Sequence, residues 1–134
     1  MTLNSLTLSR YIVAQGIQAE ILQLAAETPT VAAAAAVMGV APDQIIKSVL
    51  FLADGAPVLV VNNGLARIAW KRLADYLSVP RRRLKTAVAD QVLAITGYPV
   101  GAVPPFGHLT PLRTVVDTAV YDQSIVYGGG GEIH

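Results

Sequence analysis

Few side chains in this sequence are of the types that do chemistry, and their scarcity narrows the options. There is no cysteine, which excludes disulfides, thiol nucleophiles and cysteine-based zinc sites. The histidines are His108 and His134, too few for a multi-histidine metal centre, so neither a metal nor a cofactor is expected. Serines and aspartates occur, but no serine sits in a nucleophile elbow and no pair of carboxylates carries a motif. The run Gly128-Gly129-Gly130-Gly131 lacks the Lys-Ser/Thr that follows a phosphate loop. Two features remain. Lys47 stands alone within Ile45-Ile46-Lys47-Ser48-Val49-Leu50-Phe51. It is either the solvent side of an alternating strand or a cation at a cleft wall, placed for a phosphate or carbonyl oxygen. Residues 97–108 hold three glycines and three prolines in twelve positions and end at His108. Glycines let a ligand approach the main chain and prolines stiffen it, so the stretch is either a rigid connector or a cradle of backbone N–H donors.

Some set of elements must position these residues. At 134 residues the chain is read as one domain, residues 1–134, 53% hydrophobic and with mean hydropathy +0.50, enough for a filled core. Its longest apolar run, residues 31–41, is well short of the ~20 residues that cross a bilayer. The start lacks a signal-peptide pattern, and with the absence of cysteine this suits the cytoplasm. Net charge is only +1, yet seven of the ten basic residues fall within positions 67–85, opposed by Asp75 alone. That segment, with Arg81-Arg82-Arg83 at its centre, is either a solvated face or a phosphate contact.

In chain order, residues 5–15 read as a helix, with Ser5 as N-cap and Gly16 as stop. Residues 19–24 read as a short strand. Thr28-Pro29-Thr30 starts an alanine-rich helix over 31–38 that stops at Gly39. Pro42-Asp43-Gln44 is a turn. Residues 45–52 and 57–62 form a hairpin about Asp54-Gly55, and Asn62-Asn63-Gly64 ends it. Residues 68–77 read as a helix with Trp70, Leu73, Ala74 and Leu77 on one face. A brief strand over 84–87 and a helix over 88–96, stopped by Gly97, lead into the Gly/Pro stretch. Strands over 112–118, with Asp117 at the end, and 124–127 follow. The predicted architecture is α/β (mixed α+β): a mixed sheet packed by helices.

Several of these stretches together resemble one family. They are Val37-Met38-Gly39-Val40 with Gln44-Ile45-Ile46-Lys47-Ser48-Val49-Leu50-Phe51, the segment from Asn62-Asn63-Gly64 to Leu77, the Gly-x-x-x-Pro loop within residues 97–107, and Val115-Val116-Asp117 with residues 128–132. In this order, over about residues 28–132, they are similar to the YbaK/prolyl-tRNA-synthetase-associated (YbaK/EbsC-like) editing domain family. Members usually continue beyond the glycine-rich segment, whereas this sequence stops at His134.

The resemblance implies a central mixed, largely antiparallel sheet flanked by helices. It implies an aminoacyl-tRNA deacylase that hydrolyses the ester of a mischarged tRNA in trans, with no metal and no covalent intermediate. Lys47 would face the terminal adenosine, its phosphate or the ester. Gly101 and Pro104 would bound the loop whose backbone holds the reacting carbonyl or water. Ala102, Val103, Phe106, His108 and Asp117 would line the substrate, His108 standing where some members have a polar residue. Arg81, Arg82 and Arg83 would contact tRNA. The partners implied are aminoacyl-tRNA and a synthetase. Two alternatives stand beside this: a non-catalytic tRNA- or nucleotide-binding module of the same fold, and a structural protein whose loop is merely rigid.

Overall fold

A hairpin with a tight turn is the centre of the molecule. In the computed structural model, which describes residues 3–21, 31–64 and 66–130, β1 (Ile46–Ala53) and β2 (Ala56–Asn63) pair antiparallel, Ala53 opposite Ala56. Asp54 and Gly55 both have positive φ, 50° and 86°, as a two-residue turn matched to strand twist requires. The sheet order is β3-β1-β2-β4, with β3 (Leu84–Thr86) antiparallel to β1 and β4 (Arg113–Val116) parallel to β2. The sheet is thus mixed and largely antiparallel, as expected. Lying inside it, β2 is buried continuously from residue 58 to 63.

Strand alternation sends side chains to two layers. Ile46, Leu50, Leu59 and Val61 face Leu8 and Ile12 of α1 (Ser5–Gln15), Val92 of α4 (Ala89–Thr96), and Tyr98 and Val103. Phe51, Ala53, Val58 and Val60 face Leu73, Ala74 and Leu77 around α3 (Trp70–Tyr76). Phe51, 1% exposed, meets the Trp70 ring edge-on with centroids 5.0 Å apart. The short helix α2 (Val31–Met38) ends at Gly39, φ 67°, and its Val31 lies over Gly64, where a Cβ would come within 2.5 Å of Val31 Cγ1.

Several expected boundaries move. The N-cap of α1 is Asn4, not Ser5. Asn4 Oδ1 accepts from Thr7 N at 3.0 Å and Thr7 Oγ1 accepts from Asn4 N at 2.8 Å, a reciprocal box that needs polar residues three apart. Ala19 to Ile21 form no strand, the chain being drawn back by Ile17 N donating to Ile12 O; residues 22–24 and Thr28-Pro29-Thr30 lie outside the described residues. Pro42–Gln44 is a single 3₁₀ turn. The third helix starts at Trp70, two residues late, because Ala69 offers no side-chain cap. It ends at Tyr76, the chain turns away through Ser78, φ 59°, before Pro80, and Arg81–Arg83 form a second 3₁₀ turn. The expected strand over 112–118 shortens to β4, because Asp117 caps a third 3₁₀ turn, Thr118–Asp122. The expected strand over 124–127 reduces to one parallel bridge between Tyr127 and Ile45, because the Pro42–Gln44 turn leaves it no longer partner.

Candidate active site

The Gly/Pro loop is built from the end of α4. Gly97, φ 85°, stops that helix, and its carbonyl accepts from Leu3 N at 2.7 Å. Thr96 Oγ1 donates to Val92 O and accepts from Tyr98 N, so the chain leaves the helix at a fixed angle. Tyr98, fully buried, anchors it, and burial pushes its phenol above the ordinary range. Ala102 N donates to Pro99 O at 3.1 Å, closing a turn whose apex is Gly101. Gly101 has φ 89°, is exposed, and has open space where a Cβ would stand. Ala102, Val103 and Pro104 behind it are buried. The loop is therefore an exposed left-handed apex on a buried backing. Ala102 spends its N–H internally, while Gly101 N and Val103 N have no partner among the described residues.

Two braces hold the loop. His108 Nε2 donates to Pro104 O at 2.7 Å; a carbonyl can only accept, so this nitrogen carries the proton. Burial pushes the His108 pKa below its ordinary value, and the Pro104 carbonyl partly opposes this. A histidine with a lowered folded pKa costs stability when it must take a proton. Stability is therefore complete above the unfolded pKa of ~6.5 and is lost as pH falls toward the lower folded value. The wild-type melting temperature is expected to drop between pH 7.5 and 5.5, and His108→Gln to drop less, as thermal unfolding at the two pH values would show. The second brace is the glycine-rich segment. A Cβ on Gly129 would lie 2.6 Å from Val103 O and 3.0 Å from Ala102 C and O, and one on Gly128 would lie 3.0 Å from Ile46 Cγ1. Phe106 stacks on Tyr11, centroids 6.1 Å apart, so it joins the loop to α1.

Lys47 shares the N-terminal end of β1 with this loop but not its face. Ile46 points toward Val103 and Gly128, and its neighbour Lys47 points to the α3 side. Lys47 is half-buried and makes no ion pair or hydrogen bond among the described residues. Its cross-strand partner is Asn62. Asn62 and Asn63 are buried polar residues at the end of an apolar strand, 2% and 6% exposed. Asn63 Nδ2 donates to Asp43 O at 2.7 Å, and Asn62 Nδ2 to Ala66 O at 3.1 Å. The side-chain oxygens of both lack partners. A buried acceptor left unpaired costs about 1–3 kcal/mol.

Asp117 is exposed. Its Oδ1 accepts from Ala119 N at 2.9 Å and its N–H donates to Val61 O, the work of a cap joined to β2. Arg81, Arg82 and Arg83 are far from the loop. Arg83 pairs with Asp54 at 3.0 Å across the hairpin turn, and Arg81 lies 4.3 Å over the Trp70 ring. Lys47 and Ala53 are six residues apart on β1, about 20 Å along the strand. That far end carries a cavity of about 300 Å³ lined by Leu52, Asp54, Gly55, Arg83 and Lys85. Parallel pairing adds Arg113, opposite Val58 and 6.0 Å from the Tyr76 ring, to the same end.

Sequence reasoning missed Gly129, Gly128, Asn62 and Arg113 as parts of these sites. The glycine run is visible in the sequence, as a poor phosphate loop and as part of the family resemblance, but its packing against Val103 is not. The burial of Asn62 and the position of Arg113 follow from pairing between distant segments. No helix among the described residues is long and apolar enough to cross a membrane.

The curated relatives include proline–tRNA ligases of Nitratidesulfovibrio vulgaris strain DP4, 36% identical over 98 residues, and Streptococcus equi subsp. equi, 34% identical over 110 residues. These alignments cover 69% and 79% of this chain but 17% of each ligase, so the chain spans about a sixth of their length. Among solved structures, a hypothetical protein matches with TM-score 0.86 and 34% identity, over 95% of this chain and 83% of that one. A candidate trans-editing enzyme for prolyl tRNA synthetase matches with TM-score 0.88 and 26% identity, over 98% and 82%. The family model described as the aminoacyl-tRNA editing domain matches residues 25–134. The chain belongs to the aminoacyl-tRNA editing domain family.

Proposed function

We propose that this chain, a single unit over residues 1–134, is an aminoacyl-tRNA deacylase that acts in trans on a mischarged tRNA. The observation that carries the reading is the 101–104 backbone in a chain of the editing family: Gly101 is an exposed apex on a buried, doubly braced support. Water attacks the ester carbonyl, and the tetrahedral oxyanion is met by the unpartnered N–H of Gly101, with that of Val103 behind it. The C–O bond to the ribose then breaks and releases the free amino acid. A proton passes to the ribose oxygen, and the neighbouring ribose hydroxyl assists, so the reaction asks for no side-chain base and no metal. Pro104 fixes the far side of the loop. Lys47 supplies positive charge for the terminal phosphate or the ester oxygen.

Ala102, Val103, Phe106 and His108 bound the amino-acid pocket and select by size, with Asp117 holding the adjoining turn. One methylene is worth only about 1–3 kcal/mol of discrimination, which is why a separate editing step has value. Arg81, Arg82 and Arg83, with Lys85 and Arg113, contact tRNA phosphates about 20 Å from Lys47. Replacing all three arginines by alanine is expected to weaken tRNA binding and to lower its salt slope by roughly one for each phosphate no longer neutralised, measurable by titration at several salt concentrations. Charged tRNA and its synthetase, the partners of this reaction, place the protein in the cytoplasm.

The test is release of free amino acid from tRNA charged with Ala, Cys, Ser or Pro. Accelerated release of at least one supports the reading. A second reading, a non-catalytic tRNA- or nucleotide-binding module, is favoured by one observation: Lys47 and the loop lie on different faces of the sheet. Tight tRNA binding with no release from any charged species would establish it instead.

A further inference from the structure

Asn62 continues the face on which β2 places Val58 and Val60, and half of its amide is unaccounted for. Its Nδ2 donates to Ala66 O, which fixes the orientation of the carboxamide, and its Oδ1 is buried with no partner. Lys47 is directly across the strand pair, on the same face. Side chains so placed have Cβ atoms about 4.5–5.5 Å apart, within reach of a lysine head. The Lys47 ammonium has three donors to place, no acceptor of its own, and no partner among the described residues.

We propose that Asn62 is the positioning residue of Lys47: its Oδ1 is unpartnered in this structure, and a rotation of the lysine side chain brings Nζ to it, so that the oxygen accepts a hydrogen bond and holds the ammonium at the N-terminal end of β1. The choice of an amide is informative. An aspartate there would form an ion pair and neutralise the lysine. Asparagine fixes the head while leaving its charge, and two of its three donors, for an anionic or carbonyl oxygen. The fold bears a buried polar side chain in its central strand for this purpose. The consequence for catalysis rests on the deacylase reading, but the contact itself does not.

The experiment therefore reads the lysine directly. The intact protein is treated with limiting acetic anhydride, and acetylation of Lys47 is followed by peptide mass spectrometry in the wild type, Asn62→Val and Asn62→Asp. An ammonium held by an acceptor is less available, so Lys47 in Asn62→Val is expected to react about tenfold faster, the equivalent of one hydrogen bond to a charged group. Asn62→Asp keeps an acceptor and adds a charge but loses the link to Ala66, so its Lys47 should react more slowly than wild type. Equal rates in wild type and Asn62→Val, or fast reaction in both variants, would overturn the proposal, the latter because it would trace the effect to the Ala66 link. If Asn62→Val does not fold, Asn62→Asp decides: slower acetylation supports the contact, and equal or faster acetylation refutes it. A wild type that releases no amino acid from any mischarged tRNA would end the deacylase reading while these rates still decided the Asn62 contact.

Discussion

Gly129→Ala is expected to lower deacylation by about a hundredfold although Gly129 lies outside the catalytic loop, the loss that a misplacement of roughly 1 Å produces. The added methyl would meet Val103 O at 2.6 Å and Ala102 C and O at 3.0 Å. These are backbone atoms and cannot rotate away. Ala102, Val103 and Pro104 are buried, so the loop has no slack in which to absorb the intrusion. The displacement passes to Gly101, whose N–H must meet the oxyanion. Overpacking of this kind costs about 1–3 kcal/mol, so the melting temperature should fall by several degrees without loss of the fold. Gly130 is the internal control, because a Cβ there meets nothing within 4 Å. Gly130→Ala should retain the wild-type rate. Initial rates of amino-acid release for the two variants make the comparison, and a fully active Gly129→Ala would show that the position of the loop does not matter.

Lys47→Ala is the second large effect. A cation that stabilises charge developing in the transition state is worth roughly what an oxyanion donor is worth, about a hundredfold or more in rate. Stability should fall by no more than about 1–3 kcal/mol, the cost of leaving the buried Asn62 oxygen without a donor, since Lys47 makes no ion pair among the described residues. Lys47→Arg keeps the charge but replaces a compact ammonium with a planar fork, and should recover only part of the rate. The measurement is kcat and KM on one mischarged tRNA. A fall in kcat identifies charge stabilisation at the reacting ester. A rise in KM alone would assign Lys47 to binding the terminal phosphate. Unchanged kinetics would remove it from the site.

The parts of this site that were legible in the sequence are those set by local chemistry. Asp54-Gly55 between two β-branched runs announces the central hairpin. Gly97 closes α4 as its lack of a Cβ suggests, and the Gly/Pro composition of residues 97–108 marks the loop. What was not legible depends on segments meeting from afar. Nothing near Gly129 says that its missing Cβ makes room for Val103. Nothing near Asn62 says that an asparagine between Val61 and Asn63 will be buried opposite a lysine. Arg113 joins the basic end only because β4 runs parallel to β2, and the cluster itself lies a strand length from Lys47, a separation that adjacency in sequence cannot express. The caps show the same limit: Asn4 displaced Ser5 because Thr7 completes the reciprocal bonds.

The central claim is that the backbone at Gly101 does the chemistry. Single-turnover release of amino acid from a mischarged tRNA, by wild type and by Gly101→Ala, tests it most directly. At φ 89° the alanine variant is strained by about 1–2 kcal/mol, yet its Cβ enters open space, so the protein should fold and bind tRNA as before. The predicted result is release well above the spontaneous rate for wild type and near-spontaneous release for Gly101→Ala, with equal tRNA affinity. Equal, accelerated release by both proteins would contradict the account.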